Sequence, residues 1–134
     1  MQITWYGHSC FLLSSESGYS ILTDPCDPET GYELHDLVCN AVTISHEHPD
    51  HANVSLLQGK TRVLRGLTAD KKGWIRIDER IKDISVRSVG VYHDAKRGAD
   101  AGLATVFIFE TGGVRIAHLG DLGHPLTDQQ LSAI

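Results

Sequence analysis

Ala41-Val42-Thr43-Ile44-Ser45 runs straight into His46-Glu47-His48-Pro49-Asp50-His51. The first five residues form a short, nearly continuous apolar run, the pattern of a strand buried on both faces. The next six hold three histidines and two acids, too many costly polar groups to be filler after such a strand. His46 and His48 lie two apart, so extended geometry projects both imidazoles to one side, where they can meet one ion. Glu47, between them, points the other way. Asp50 and His51 follow where the chain reverses, on a turn that Pro49 stiffens by fixing its own φ, and can face a second ion beside the first. Neutral imidazole suits zinc, iron, nickel or copper, whereas carboxylate also suits manganese or magnesium.

Outward from this motif, the chain has the composition of an ordinary globular protein, with 41% hydrophobic and 22% charged residues. At 134 residues it is expected to be a single domain, spanning 1–134, with enough chain to bury a core. Twelve basic residues against seventeen acidic ones leave a net charge of -5 and no basic stripe, which argues against a nucleic-acid partner. Eight histidines are a clear excess, and six of them lie in or near Gly/Asp-rich turns where ligands can converge. Cys10, Cys26 and Cys39 are odd in number and contain no CxxC pair. They read as buried small hydrophobes in a reducing compartment. No signal peptide and no membrane-length apolar run is visible, so a cytoplasmic location without membrane attachment is expected.

The rest of the chain reads as many short strands and few helices. Strand patterns cover Gln2 to Trp5, Cys10 to Leu13 and Tyr19 to Thr23, followed by Ala41 to Ser45, Arg62 to Leu64, Trp74 to Ile77 and Ile84 to Val91. Thr105 to Glu110 and Val114 to Leu119 flank a Gly112-Gly113 pair, a strong hairpin signal. A short helix is expected over Asn53 to Leu57, closed by Gly59. Thr127-Asp128-Gln129-Gln130 is a capping-box sequence, opening a helix with Leu131 and Ile134 on one face. Only two turns of that helix precede Ile134, which predicts that the C-terminal part of the domain is missing, so that either another copy covers the bare edge as a homo-oligomer or a disordered or cleaved C-terminal part has been lost.

The whole chain resembles the metallo-β-lactamase fold superfamily. The HxHxDH motif is His46 to His51, and four further stretches agree in order: Gly7-His8-Ser9-Cys10-Phe11, Thr23-Asp24-Pro25, Tyr92-His93-Asp94 and His118-Leu119-Gly120-Asp121-Leu122-Gly123-His124. The pattern is similar to the metal-dependent hydrolase branch that includes ascorbate-phosphate lactonase-like proteins. It departs at Ala104, where an asparagine is common. The resemblance implies an α/β fold, an αββα sandwich that is β-rich in this portion. It makes His46, His48 and His93 ligands of a first ion, places Asp50 and His51 at a second, and sets Asp121 as the bridge between them. The family's last ligand, a histidine after a later strand, has no counterpart in these residues. His8, His118 and His124 read as hydrogen-bond partners behind the ligands or at the pocket rim, Asp24 as a loop cap or an orienter of a ligand histidine, and His35 as surface.

The implied cofactor is a divalent metal, zinc in the first instance with manganese or iron as alternatives, up to two ions in a full-length protein. Two cations sharing an oxygen would yield a metal-bound hydroxide, aimed by Asp50 at a carbonyl or phosphoryl centre. The expected function is hydrolysis of a small ester, lactone, amide or phosphodiester. The competing expectation is a non-catalytic metal-binding fold or an inactive fragment of a longer hydrolase. His8-Ser9-Cys10 lies in a strand context with no strand-to-helix elbow, so covalent catalysis is not expected.

Overall fold

A computed structural model describes residues 1–134. The elements in chain order are β1 (Gln2–Gly7), β2 (Cys10–Ser14), β3 (Ser20–Thr23), β4 (Ala41–Ile44), β5 (Arg62–Arg65), β6 (Asp78–Ile81), β7 (Ile84–Tyr92), β8 (Leu103–Thr111), β9 (Val114–His118) and helix α1 (Asp128–Ala133). The strands form two sheets, one ordered β1-β2-β3-β4-β5 and one ordered β6-β7-β8-β9. Side chains alternate about each strand, so one face of each sheet meets the other sheet. Leu13, Ile21, Ala41 and Leu64 of the first sheet pack with Ile81, Ile84, Val86, Phe107 and Phe109 of the second in one buried cluster. The opposite face of the first sheet, with Cys10, Leu22, Val42 and Ile44, is covered by Leu34, Leu37 and other loop residues. The opposite face of the second sheet, with Val91, Ala104, Val106 and Ile108, is covered by Leu122, Leu126 and Ile134. The architecture is therefore a β-rich α/β sandwich whose outer layers are loops and one short helix. No helix is long and apolar enough to cross a membrane.

Pairing directions explain where chemistry can collect. β1 and β3 both run antiparallel to β2, and β4 runs parallel to β3, so β1, β3 and β4 end at the same edge. In the second sheet β7 and β9 both run antiparallel to β8 and also end together. The loops after these five strands carry His8, Asp24, His46 to His51, His93 and Asp121. A rigid scaffold holding functional loops at one rim is a common division of labour.

Most of the expected elements are present. β4 is buried along its whole length, and Gly112-Gly113 closes the β8–β9 hairpin with Thr111 opposite Val114. Thr127 caps α1 by accepting from Gln130 N at 3.2 Å, while Gln130 Oε1 accepts from Thr127 N at 3.0 Å. Gln130 Nε2 also donates to Gly90 O, which ties the helix to β7.

Three expectations need correction. Asn53 to Leu57 is only a 3-10 turn over Val54–Leu56, and Gly59 does not close it. A bridge between Leu37 and Leu57, with Gln58 N donating to Leu37 O, pulls the chain into extended geometry before a helix can propagate. Trp74 to Ile77 is not a strand; Trp74 makes one bridge to Leu67, and its indole N–H donates to Val91 O and Ala104 O. The strand comes later, as β6, because a tight turn at Lys82-Asp83 sets Ile81 opposite Ile84. Leu131 and Ile134 do not share a buried face: Ile134 packs on the sheet and Leu131 is 58% exposed.

Phe107 and Phe109 are fully buried between the sheets, with ring centroids 6.4 Å apart. Phe109→Ala is expected to destabilise the protein by about 3–5 kcal/mol, through lost burial plus the cavity left behind. Urea unfolding should show this as a lower midpoint at an unchanged slope.

Candidate metal centre

The rim where β1, β3, β4, β7 and β9 end gathers histidine nitrogens and carboxylate oxygens from five loops. His46 Nε2 faces His48 Nδ1 across 3.1 Å, and ring centroids are 4.5 Å apart for His46 and His48, 4.9 Å for His46 and His93, and 5.1 Å for His48 and His93. Ligand atoms of His46, His48 and His93 all lie within 4.8 Å of one another. A second group, His8, Asp50 and His51, meets the same criterion. Asp121 stands between the groups: its Oδ2 is 3.3 Å from His93 Nε2 and its Oδ1 is 3.3 Å from His51 Nε2. Tetrahedral zinc with bonds of about 2.0–2.1 Å needs donors separated by about 3.3–3.4 Å. These spacings bracket that value without any rearrangement of the backbone.

Protonation makes the arrangement a receiver of cations. Burial, with the neighbouring His51, pushes the His46 imidazole down to about 4. Burial and the neighbouring His93 also lower His48. Both rings are thus neutral at physiological pH, with lone pairs available. His51 goes the other way: burial opposes its charge, but the hydrogen bond to Asp24 and the surrounding carboxylates raise it. Its Nε2 is buried and has no hydrogen-bond partner. An orphaned buried nitrogen beside two carboxylates is expensive unless something positive completes it.

Asp24 explains why these lone pairs point inward. It is fully buried, and it accepts from Ser45 N at 2.7 Å, Ser45 Oγ at 2.5 Å, His51 Nδ1 at 3.0 Å and His118 Nε2 at 2.9 Å. Burial alone would raise its carboxyl, but the hydrogen bonds from His118 and His51 hold it far below the usual range. Taking the Nδ1 proton of His51 leaves Nε2 for a metal. Ser45 has one hydroxyl proton, and Asp24 receives it. The serine oxygen, 3.0 Å from His46 Nδ1, must then accept from that nitrogen, which frees His46 Nε2 as well. Asp24, His46 and His51 also cluster closely enough to suggest a ligand triad. That reading fails because the Asp24 oxygens are already saturated by donors.

The position of His93 is fixed by its own loop. The Asp94 carboxylate accepts from the backbone N–H groups of Lys96, Gly98, Asp100 and Ala101 at 2.7–3.0 Å, and the first of its causes, the Ala101 bond, helps lower its carboxyl to about 2. Glu47 points away from the rim, as expected, and pairs with Arg65 at 2.5 Å. His124 lies against Tyr92, and His35 is exposed beside Glu33. The structure differs from the sequence expectation at His8, which stands among the candidate ligands rather than behind them. The sequence assigns no role to Ser45 or to Asp94. Their only sequence signals are a hydroxyl directly before the motif and an acid directly after His93, both too common to single out.

A model of the beta-lactamase superfamily domain matches residues 2–134. The chain belongs to this beta-lactamase superfamily domain family. Within the superfamily, a UPF0173 protein of Pyrococcus abyssi is 30% identical over 90% of this chain and 60% of its own length. A UPF0173 metal-dependent hydrolase of Archaeoglobus fulgidus is 28% identical over 90% of this chain and 61% of its own length. A Thermotoga maritima crystal structure assigned to the metallo-beta-lactamase superfamily superimposes with a TM-score of 0.71 and 34% identity, covering 98% of this chain and 55% of that one. The chain thus spans about three fifths of the length of the curated relatives it matches. The superfamily assignment agrees with the two-sheet sandwich and with the strand-end placement of the histidine motif.

Proposed function

We propose that this protein is a metal-dependent hydrolase of small ester, lactone, amide or phosphodiester substrates. A first ion would be held by His46, His48 and His93 and a second by Asp50 and His51, with Asp121 between the two sets. The observation that carries this reading is the clustering of His46, His48 and His93 ligand atoms within 4.8 Å of one another, beside a His8, Asp50 and His51 group whose buried His51 Nε2 has no hydrogen-bond partner. The nitrogen-rich first set favours zinc, with iron as an alternative at imidazole and manganese where carboxylates dominate. When bound, such ions supply a Lewis acid that polarises a carbonyl or phosphoryl oxygen and acidifies water.

The chain supplies the remainder. Asp50 is 40% exposed at its side chain and lies 3.7 Å from His51 Nε2, where its carboxylate can orient a water and hold the proton it gives up. Asp24 and Ser45 hold His51 and His46 in the metal-binding tautomer throughout. A cavity of about 110 Å³ beside His46 and His48, walled by Leu67, Lys71 and Leu103, has room for a small substrate group. The larger concavity, about 850 Å³, lies beyond Tyr92 against α1 and contains none of the donors, so chemistry is not assigned to it. Cys10 offers no nucleophile: it is fully buried, and burial pushes its thiol up to about 12.

The test is turnover of p-nitrophenyl acetate, a lactone, an anilide and bis(p-nitrophenyl) phosphate before and after chelation. Hydrolysis of at least one is expected, abolished by chelator, restored by zinc or manganese, and lost in His48→Ala. Metal uptake with no turnover of any class would instead support a non-catalytic metal-binding fold.

A further inference from the structure

His8 sits at the first position of the two-residue turn joining β1 to β2, where Gly7 pairs with Cys10. Its φ is 48°, in the left-handed region that tight hairpins ordinarily fill with Gly, Asn or Asp. A histidine there costs about 1–2 kcal/mol relative to an unstrained conformation. The surroundings enforce it. A register irregularity between Trp5 and Gly7 re-aims the end of β1, and the Trp5 indole N–H donates to His8 O at 3.0 Å. Gly7 has no room for a Cβ, because the Tyr32 ring lies directly against it.

The consequence is an imidazole held over the rim. His8 Nε2 is 3.6 Å from Asp50 Oδ2, and its ring centroid is 4.8 Å from that of His51. We propose that His8 is itself a metal ligand, completing with Asp50 and His51 the donor set of the second ion. The inference rests on the metal-centre reading above and adds a residue that reading leaves out. An ion pair between His8 and Asp50 alone does not account for the geometry, since it leaves the buried His51 Nε2 without a partner. An ion among the three satisfies all of them at once. Asp121 Oδ1, 3.3 Å from His51 Nε2, adds a further carboxylate oxygen beside these three donors. The edge strand β1 thereby becomes part of the centre.

The experiment is a cobalt(II) titration of the metal-stripped chain, followed by d–d absorption and by elemental analysis after gel filtration. Wild type should take up two equivalents. His8→Asn should keep the first and bind the second at least tenfold more weakly, with thermal stability unchanged or raised because asparagine suits the left-handed turn. His8→Gly, which offers no side-chain donor at all, should behave in the same way. His48→Ala should weaken the other equivalent. Two equivalents of unchanged affinity in both His8 variants would overturn the role of His8 alone, as would uptake of a single equivalent by wild type. Uptake of none by wild type would overturn the metal-centre reading with it.

Discussion

Asp24→Ala is expected to be the most damaging single substitution at the rim, lowering stability by about 3–5 kcal/mol, the usual scale for removing one partner of a buried charged network. Four donors, from Ser45, His51 and His118, converge on this carboxylate, and the side chain is inaccessible to solvent. Alanine leaves all four facing an empty, dry space, and each unsatisfied group costs about 1–3 kcal/mol. For a domain of this size the melting temperature should fall by roughly 10 °C or more. Asp24→Asn preserves the shape but replaces an acceptor with an N–H₂ group that cannot serve the same donors. It should fold and lose about 10–100-fold in zinc affinity, because the tautomers of His51 and His46 are no longer imposed. Circular-dichroism melting and chelator competition measure the two effects. A melting temperature within 2 °C of wild type for Asp24→Ala, on the order of less than 1 kcal/mol, would show that Asp24 is not the hub of this network.

Gly123→Ala should disable the centre from the other side. A methyl group at Gly123 would overlap the backbone carbonyl of His93 and the amide of Asp94. Neither can move freely, since His93 N donates to Gly102 O and Gly123 N donates to Tyr92 O. Overpacking of this kind costs about 1–3 kcal/mol and shifts backbone. The shift would carry His93 away from His46 and His48, so zinc affinity should fall by at least about tenfold, as for loss of a ligand-orienting contact. Gly73→Ala is the matching control: a methyl there meets only Thr68 side-chain atoms at 3.5 Å, an ordinary contact. It should leave both stability and metal uptake near wild type. Equal zinc affinity in the two alanine variants would refute the steric argument.

Much of the fold was legible in the residues. The apolar run before the motif is the buried strand β4, and the Gly-Gly pair and capping box stand where they were read. Two of the misread segments share a cause. Trp74 to Ile77 and Asn53 to Leu57 carry suitable local propensities, but partners distant in sequence fix their ends: the Trp74 indole N–H donates to Val91 O and Ala104 O, and Leu57 bridges to Leu37. Propensity is a weak prior that tertiary contacts override.

By itself, the sequence determined the chemistry that depends on near neighbours: alternation about each strand, the turns, and a histidine motif whose spacing aims several donors at one place. Tertiary structure alone decided which remote residues complete that place. Asp24 and His118 are 94 positions apart yet share a hydrogen bond. His8 reaches Asp50 only because β1, β3 and β4 run parallel, and Asp121 reaches His51 and His93 only because β7 and β9, on either side of β8, end at the same rim as β4. The bonds that Ser45 and His51 give to Asp24, at 2.5 and 3.0 Å, join the loop after β4 to the loop after β3. No local pattern encodes such distances, because they are set by how two sheets pack rather than by any residue's conformational preference.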